Sequence, residues 1–284
     1  MKKINLIAKQ AVLLAAVCSL AAFTGCSKAS NASKSSGISG NVSLNGSTSM
    51  ESVVGILSEK FMQDYSSVKI TYDATGSGTG IEAASNGTCD IGLASRDLKS
   101  AEKEKGLVQT TVAYDGIAII VNASSPISDL SVDDVALIYT GKVANWSELG
   151  GENLAIACIG REAGSGTRDG FESITKTGGK CVLAQELTST GAVIEAVKNS
   201  PNAIGYASFS AVEGKTGIKV LKIGGVMPDE TTIADGSYKV QRNFNFITKD
   251  GAELSAAAKA FFDWATSKEA SDLISQAGVV PAAN

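Results

Sequence analysis

Apolar positions along the chain switch repeatedly between a two-residue period and a three-to-four-residue period. Asn41-Val42-Ser43-Leu44 and the trio Val68, Ile70, Tyr72 have the alternation of short strands. Between them Met50, Val53, Val54, Leu57 and Phe61 share one helical face. Thr48 with Glu51, and later Thr79 with Glu82, predict capping boxes at two helix starts, and Asn86-Gly87 predicts a helix stop. Asp90 to Ala94 reads as a strand delivering Ser95, Arg96 and Asp97 to its end. Val108 to Val121, broken only at Asp115-Gly116, predicts a long strand covered on both faces and a first crossing between two domains. Ser131 with Asp134 opens a helix bearing Val135, Ile138 and Tyr139, and Trp146 sits in a turn as a packing residue. Leu154 to Ile159, Ile204-Gly205-Tyr206 and Ile218 to Ile223 predict strands. Val193, Ile194 and Val197 predict a helix before Pro201. Tyr238 to Thr248 predicts the return crossing, and Leu254 to Ala265 the final helix. Strand and helix alternate throughout, which predicts an α/β class with mostly parallel sheets.

Length and composition narrow the classes. The 284 residues, 44% of them hydrophobic, can bury one large core or two modest ones. Net charge is −4, and the first 25 residues hold three lysines and no acids, so the remainder is more acidic still. That balance argues against a nucleic-acid partner, which needs clustered Lys and Arg. Histidine is absent, so a Ser-His-Asp triad and a His-based zinc site are excluded. No GxxxxGK[ST] occurs, and the loop at Gly76–Gly80 reads GxGxG rather than GxGxxG, which removes the P-loop and leaves no dinucleotide fingerprint.

The N-terminus carries targeting information. Lys2 and Lys3 precede the apolar run Ala11 to Phe23, too short for a comfortable membrane span, and Gly25-Cys26 follows. This predicts a signal peptide over 1–25. The junction resembles a bacterial lipobox, with Cys26 lipidated by palmitate and residues 26–40, rich in Ser, Ala, Lys and Gly, as a flexible tether. Plain secretion with cleavage near Gly25 is the simpler alternative. The lipidated form would sit outside the cell, anchored to the outer face of the cell membrane. Of five cysteines, Cys18 is lost with the signal and Cys26 is the anchor. Cys89, Cys158 and Cys181 show no CxxC spacing; buried free thiols are the default, and a Cys158–Cys181 bridge stays open.

Candidate chemistry lies in three turns of one design: strand, Gly/Ser/Thr turn, helix start. They are Gly46–Ser49, Gly76–Thr79 and Gly164–Thr167. The first N–H groups of a helix have no internal partners and carry partial positive charge, so each turn is a potential anion cradle. Arg161, three residues before Gly164, adds a planar fork suited to a tetrahedral oxyanion. No metal-ligand cluster, cofactor fingerprint or activated nucleophile pair is evident, which argues against an enzyme.

Leu44 to Ser49, Thr75 to Gly78, Asp90 through Arg96, Arg161 through Thr167, Gly205-Tyr206, Ile233 to Tyr238 and Gly278 to Pro281 together resemble the PstS family, the phosphate-binding proteins of bacterial ABC importers. The resemblance implies a type 2 periplasmic-binding-protein fold of two α/β domains joined by two hinge strands, residues 41–114 with 242–284 and residues 115–241. It implies one inorganic phosphate between the domains and delivery to the permease subunits of an ABC transporter. Carried over by motif, Ser47, Thr48, Ser49, Ser77, Arg161, Ser165, Gly166 and Thr167 bind phosphate. The family places an aspartate after the serine matching Ser95, where this chain has Arg96. Arg96 is accordingly expected to contact phosphate, and Asp97 or Asp73 to accept its proton. The departure leaves sulfate or molybdate as the alternative ligand, because an acceptor carboxylate is what rejects an unprotonated anion.

Overall fold

The computed structural model describes residues 37–282; Cys26 and the signal segment lie outside them. Strand β1 (Gly40–Gly46) runs through a single 3₁₀ turn, Thr48–Met50, into helix α1 (Glu51–Asp64). Next come β2 (Val68–Ala74), α2 (Ser77–Asn86), β3 (Ile91–Ala94), α3 (Ser100–Lys103) and the 16-residue β4 (Leu107–Asn122). Then β5 (Asp129–Leu130), α4 (Val132–Tyr139), β6 (Ala157–Arg161), α5 (Gly166–Thr175), β7 (Gln185–Leu187) and α6 (Thr190–Lys198) follow. β8 (Ala203–Ser208), α7 (Phe209–Val212), β9 (Ile218–Val220), β10 (Lys222–Ile223) and α8 (Glu230–Ala234) lead to β11 (Gln241–Lys249). α9 (Ala256–Ala265), α10 (Ser271–Gln276) and β12 (Val280–Pro281) complete it.

The fold is mixed α/β with one long curled sheet, in the order β2-β1-β3-β11-β4-β8-β6-β7. β1 pairs in parallel with β2 and β3, and β6 in parallel with β7 and β8. β4 and β11 run antiparallel to each other, and each is antiparallel to its outer neighbour. The mostly parallel expectation is therefore corrected. One long strand carries the chain outward and the other brings it back, so they traverse the middle of the sheet in opposite senses. Apolar side chains gather in separate groups along it. Val42, Leu44, Leu57, Phe61, Ala113, Phe244 and Phe246 belong to one. Ile117, Ile119, Tyr139, Phe171, Tyr206 and Val240 belong to another. Ala118, Ile120 and Val193 form a third on the opposite face of β4, whose alternation thus feeds both sides of the sheet.

Other expectations change in detail. Ser47, not Thr48, caps the first turn, its Oγ accepting from the Ser49 N–H at 3.3 Å. Gly46, at φ +143°, turns the chain one residue before that cap. α2 starts at Ser77, placing Thr79 inside the helix, so the Thr79–Glu82 box does not form. Gly76 at φ +104° ends β2's path early and lets Ser77 lead the helix. The Ser131–Asp134 box does form. Leu154 to Ile156 fold against residues 144–146, through Trp146 N–H to Leu154 O and Ile156 N–H to Ala144 O, so β6 begins only at Ala157. The run from Ile218 to Ile223 divides at Leu221, and α10 follows the helix expected to be last.

α2 lies with its backbone directly on the strands beneath it. A Cβ at Gly80 would stand 2.4 Å from Asn45 O and 2.6 Å from Gly46 Cα. No side chain could move aside there, so Gly80→Ala is expected to destabilise the protein by about 1–3 kcal/mol in urea unfolding. Gly55, mid-helix in α1, has nothing within 4 Å of the same added atom. Gly55→Ala is expected to stabilise by about 0.5–1 kcal/mol in the same measurement.

Candidate functional site

The carboxyl ends of β1, β3, β6 and β7 point to one place, and four helix starts meet there. They are Ser47–Ser49, Ser77, Gly166 and Thr190. This is where ligands of parallel α/β layers collect. Hydroxyls interlock across it. Ser49 Oγ lies 2.8 Å from Thr167 Oγ1 and 3.1 Å from Thr190 Oγ1. Thr48 Oγ1 shares a 3.1 Å bond with Thr190 Oγ1 and accepts from the Thr190 N–H at 3.2 Å. On one side Ser77 Oγ accepts from the Ser95 N–H at 3.0 Å and lies 3.2 Å from Ser95 Oγ. Gly166 fits flush against that pair: a Cβ on it would meet the two hydroxyl oxygens at 2.4 and 2.6 Å. The Gly78 N–H donates to Gly164 O at 2.9 Å, joining the α2 start to the turn before α5.

Eight of the sequence-predicted residues are thus brought together and buried: Ser47, Thr48, Ser49, Ser77, Arg161, Ser165, Gly166 and Thr167. Two of their hydroxyls act as caps. Ser47 Oγ holds the first turn, and Ser165 Oγ accepts from the Arg168 N–H at 3.3 Å. Arg161 ends β6 with only 2% of its surface exposed. Its Nε donates to Glu162 Oε2 and Leu187 O, both at 3.1 Å, and its Nη2 to Glu162 Oε1 at 2.8 Å and Thr188 O at 3.2 Å. Nη1 reaches the Thr190 hydroxyl at 3.3 Å. From behind, Tyr206 Oη accepts from the Arg161 N–H at 3.1 Å, and the Tyr206 ring stacks on Phe171 at 4.1 Å. Burial pushes the Tyr206 phenol up, so it stays neutral.

Arg96 is placed elsewhere, which revises the expectation of a phosphate contact. Its Nη1 and Nη2 each donate to Glu102 at 2.8 Å, and Nε lies 2.9 Å from Asp169 Oδ2. Lys99 Nζ reaches the same Asp169 oxygen at 2.9 Å. Carboxylates close at hand take the guanidinium before the hydroxyl cluster can. Asp97 is likewise engaged: its Oδ1 accepts from Gln109 Nε2 at 2.9 Å, Asn243 Nδ2 at 2.8 Å and Asn245 Nδ2 at 3.1 Å. Asp73 is exposed at the end of β2.

Sequence reasoning missed Thr190, Asp115 and Arg242. Ser189-Thr190 is a fourth strand–hydroxyl–helix junction, with Ser189 capping α6 by accepting from the Ala192 N–H at 3.1 Å. Unlike the other three turns, it carries no glycine ahead of the hydroxyls. Asp115 and Arg242 are register partners on β4 and β11, linked by Nη2 to Oδ2 at 3.0 Å with almost no exposure. Burial pushes the Asp115 carboxyl up, opposed by the Arg242 charge and the Ser208 hydroxyl. Arg242 Nη1 donates to Thr167 Oγ1 at 2.6 Å. The break at Asp115-Gly116 was the visible hint. Among the described residues, no group of three or more Cys, Asp or Glu is placed to hold a metal ion. Cys89, Cys158 and Cys181 are free thiols, with burial pushing Cys158 up to about 12 and Cys89 up to about 11.

The site is therefore a buried patch of neutral donors with two guanidinium groups, each matched by one carboxylate. Residues 31–269 match the model of a PBP superfamily domain. The phosphate-binding protein PstS of Bacillus subtilis (strain 168) is 33% identical over 275 residues, covering 95% of this chain and 90% of that protein. The X-ray structure described as a phosphate ABC transporter substrate-binding protein with bound phosphate, from Clostridium perfringens, superposes with a TM-score of 0.82 at 37% identity, covering 86% of this chain and all of the other. An ABC-type phosphate transport receptor from Vibrio cholerae superposes at 0.69 with 29% identity, covering 85% of this chain and all of the other.

The Asp97 cluster at the rim gives a pH test. Burial works to raise this carboxyl, but the Asn243, Asn245 and Gln109 amides outweigh it and hold it below its ordinary value. A depressed carboxyl stabilises the fold above its unfolded value of about 3.9, and the contribution fades as pH falls through the lower folded value. Asp97→Asn is expected to cost about 1 kcal/mol at pH 7, discounted for exposure to water, with the difference from the parent closing below about pH 4 in thermal melts.

Proposed function

The chain belongs to the PstS family of phosphate-binding proteins within the PBP superfamily, and from that premise we propose that it is an extracytoplasmic receptor which encloses inorganic phosphate and delivers it to an ABC importer. It is a substrate-binding protein and not an enzyme. The observation that carries the reading is the meeting of four helix starts and the buried Arg161 guanidinium in one place. Amide and hydroxyl donors there can surround a tetrahedral dianion, while Arg161 supplies a charge-assisted contact through Nη1, the nitrogen that already reaches the Thr190 hydroxyl.

In this reading the ligand-binding set is Ser47, Thr48, Ser49, Ser77, Arg161, Ser165, Gly166 and Thr167, joined by Thr190. Residues 41–114 with 242–284 form one domain and residues 115–241 the other, with β4 and β11 as the hinge strands. The separate apolar groups on either side of Asp115 and Arg242 support that division. Binding then shifts an open–closed equilibrium, because only the closed form gives the anion contacts from both domains. Lipidation at Cys26 would hold the receptor at the outer face of the membrane. No helix among the described residues is long and apolar enough to cross a membrane.

The test is calorimetric titration with phosphate, sulfate and molybdate. Phosphate is expected to bind in the nanomolar-to-micromolar range, about −12 to −8 kcal/mol. Arg161→Ala is expected to weaken it by about 2–5 kcal/mol, since the buried cation is lost and the half-buried Glu162 is left without its partner. Unchanged phosphate affinity in that variant would refute the site assignment, and tighter binding of sulfate or molybdate would replace phosphate as the ligand.

A further inference from the structure

Arg242 and Asp115 stand where one apolar group gives way to the next. On β4 the changeover falls between Ala113 and Ile117, and on the returning chain between Val240, just before β11, and Phe244 on it. A fully buried ion pair adds little net stability over apolar residues of the same volume, because both charges must leave water. Its burial between two apolar groups therefore asks for another role.

The geometry of the pair shows which. Asp115 is fixed independently of the arginine: its Oδ2 accepts from Ser208 Oγ at 2.8 Å, and its Oδ1 from the Ser210 N–H at 3.4 Å. It then holds Arg242 through Nη2 alone. Nη1 is left to point forward onto Thr167 Oγ1, the hydroxyl that also meets Ser49. Nε is buried and has no hydrogen-bond partner among the described residues. The ring of Phe244 lies 5.3 Å from the guanidinium carbon, so one face of the cation is covered. The guanidinium also lines an open cavity of about 610 Å³ shared with Arg96 and Lys99. It stands between that cavity and the hydroxyl cluster.

We propose that Arg242, aimed by Asp115, is a second guanidinium of the anion site, whose Nη1 passes from the Thr167 hydroxyl to an oxygen of the bound oxyanion. This rests on the receptor reading of the same site. Arg161 approaches from the end of β6 and Arg242 from β11, so a tetrahedral anion is held by planar forks from two directions. Each fork has its own carboxylate, Glu162 or Asp115, so the two guanidiniums bring no net excess of positive charge. Asp115 is a positioning residue: it touches the cation and not the ligand.

The experiment measures the phosphate dissociation constant by calorimetry and the ligand-free melting temperature on full-length protein. It compares the parent with Arg242→Gln, Arg242→Lys and the paired variant Asp115→Asn/Arg242→Gln. The paired variant removes both charges together and so keeps a foldable core. Arg242→Gln and the paired variant are expected to weaken phosphate binding by about 30-fold or more, and Arg242→Lys by less, since the charge remains without the fork. A paired variant that melts differently yet binds phosphate within about threefold of the parent makes the pair a staple between strands only, and overturns the proposal. A parent that binds no oxyanion at all overturns the receptor reading and this assignment with it. A parent that binds alongside an Arg242→Gln variant that binds equally well overturns this assignment alone.

Discussion

Burial of the Arg161 guanidinium is the constraint on which the rest of the structure depends. A cation removed from water must find acceptors in fixed directions, and its neighbours supply them: the Glu162 carboxylate, the Leu187 and Thr188 carbonyls and the Thr190 hydroxyl. Those acceptors come from the turn after β6 and the loop after β7, so seating the arginine also fixes the start of α6. The start of α6 in turn locates Thr190, and Thr190 is the hydroxyl on which Thr48 and Ser49 converge. One charged side chain thus sets the relation between elements more than a hundred residues apart.

Around that cation the protein uses dipoles where a simpler design would use charge. Each guanidinium has a carboxylate partner, and the remaining donors are hydroxyls and the first amides of helices. Neutral donors in a water-excluded place bind an anion firmly without the large positive field that would also draw in other polyanions. The acidic balance of the whole chain fits this arrangement, since recognition does not depend on long-range attraction.

Most of this was legible in the sequence where the physics is local. Strands such as Val68–Ala74 and helices such as α1 and α4 follow from short-range periodicity and from caps within four residues. The three glycine-bearing turns were visible because glycine and hydroxyl residues cluster in sequence. What was hidden depended on partners far along the chain. The antiparallel passage of β4 and β11 is a property of topology, not of either strand. Arg96 looked like a ligand-binding residue because it follows Ser95, yet Asp169 beyond β4 and Glu102 in α3 claim it. Arg242 lies within the Tyr238–Thr248 run, and only its register opposite Asp115 shows that the two charges are buried together. Thr79 and Glu82 had the spacing of a cap, but the geometry at Gly76 started the helix three residues sooner.

The hydrogen bond from the Gly78 amide to Gly164 O has a consequence for motion. It is made by main-chain atoms between two glycines, where no side chain shields or adjusts the contact. α2 and α5 cannot part without breaking it, and once broken that amide faces solvent. Deuterium uptake at Gly78 therefore reports the free energy of separating α2 from the turn before α5, averaged over the population and without any attached label.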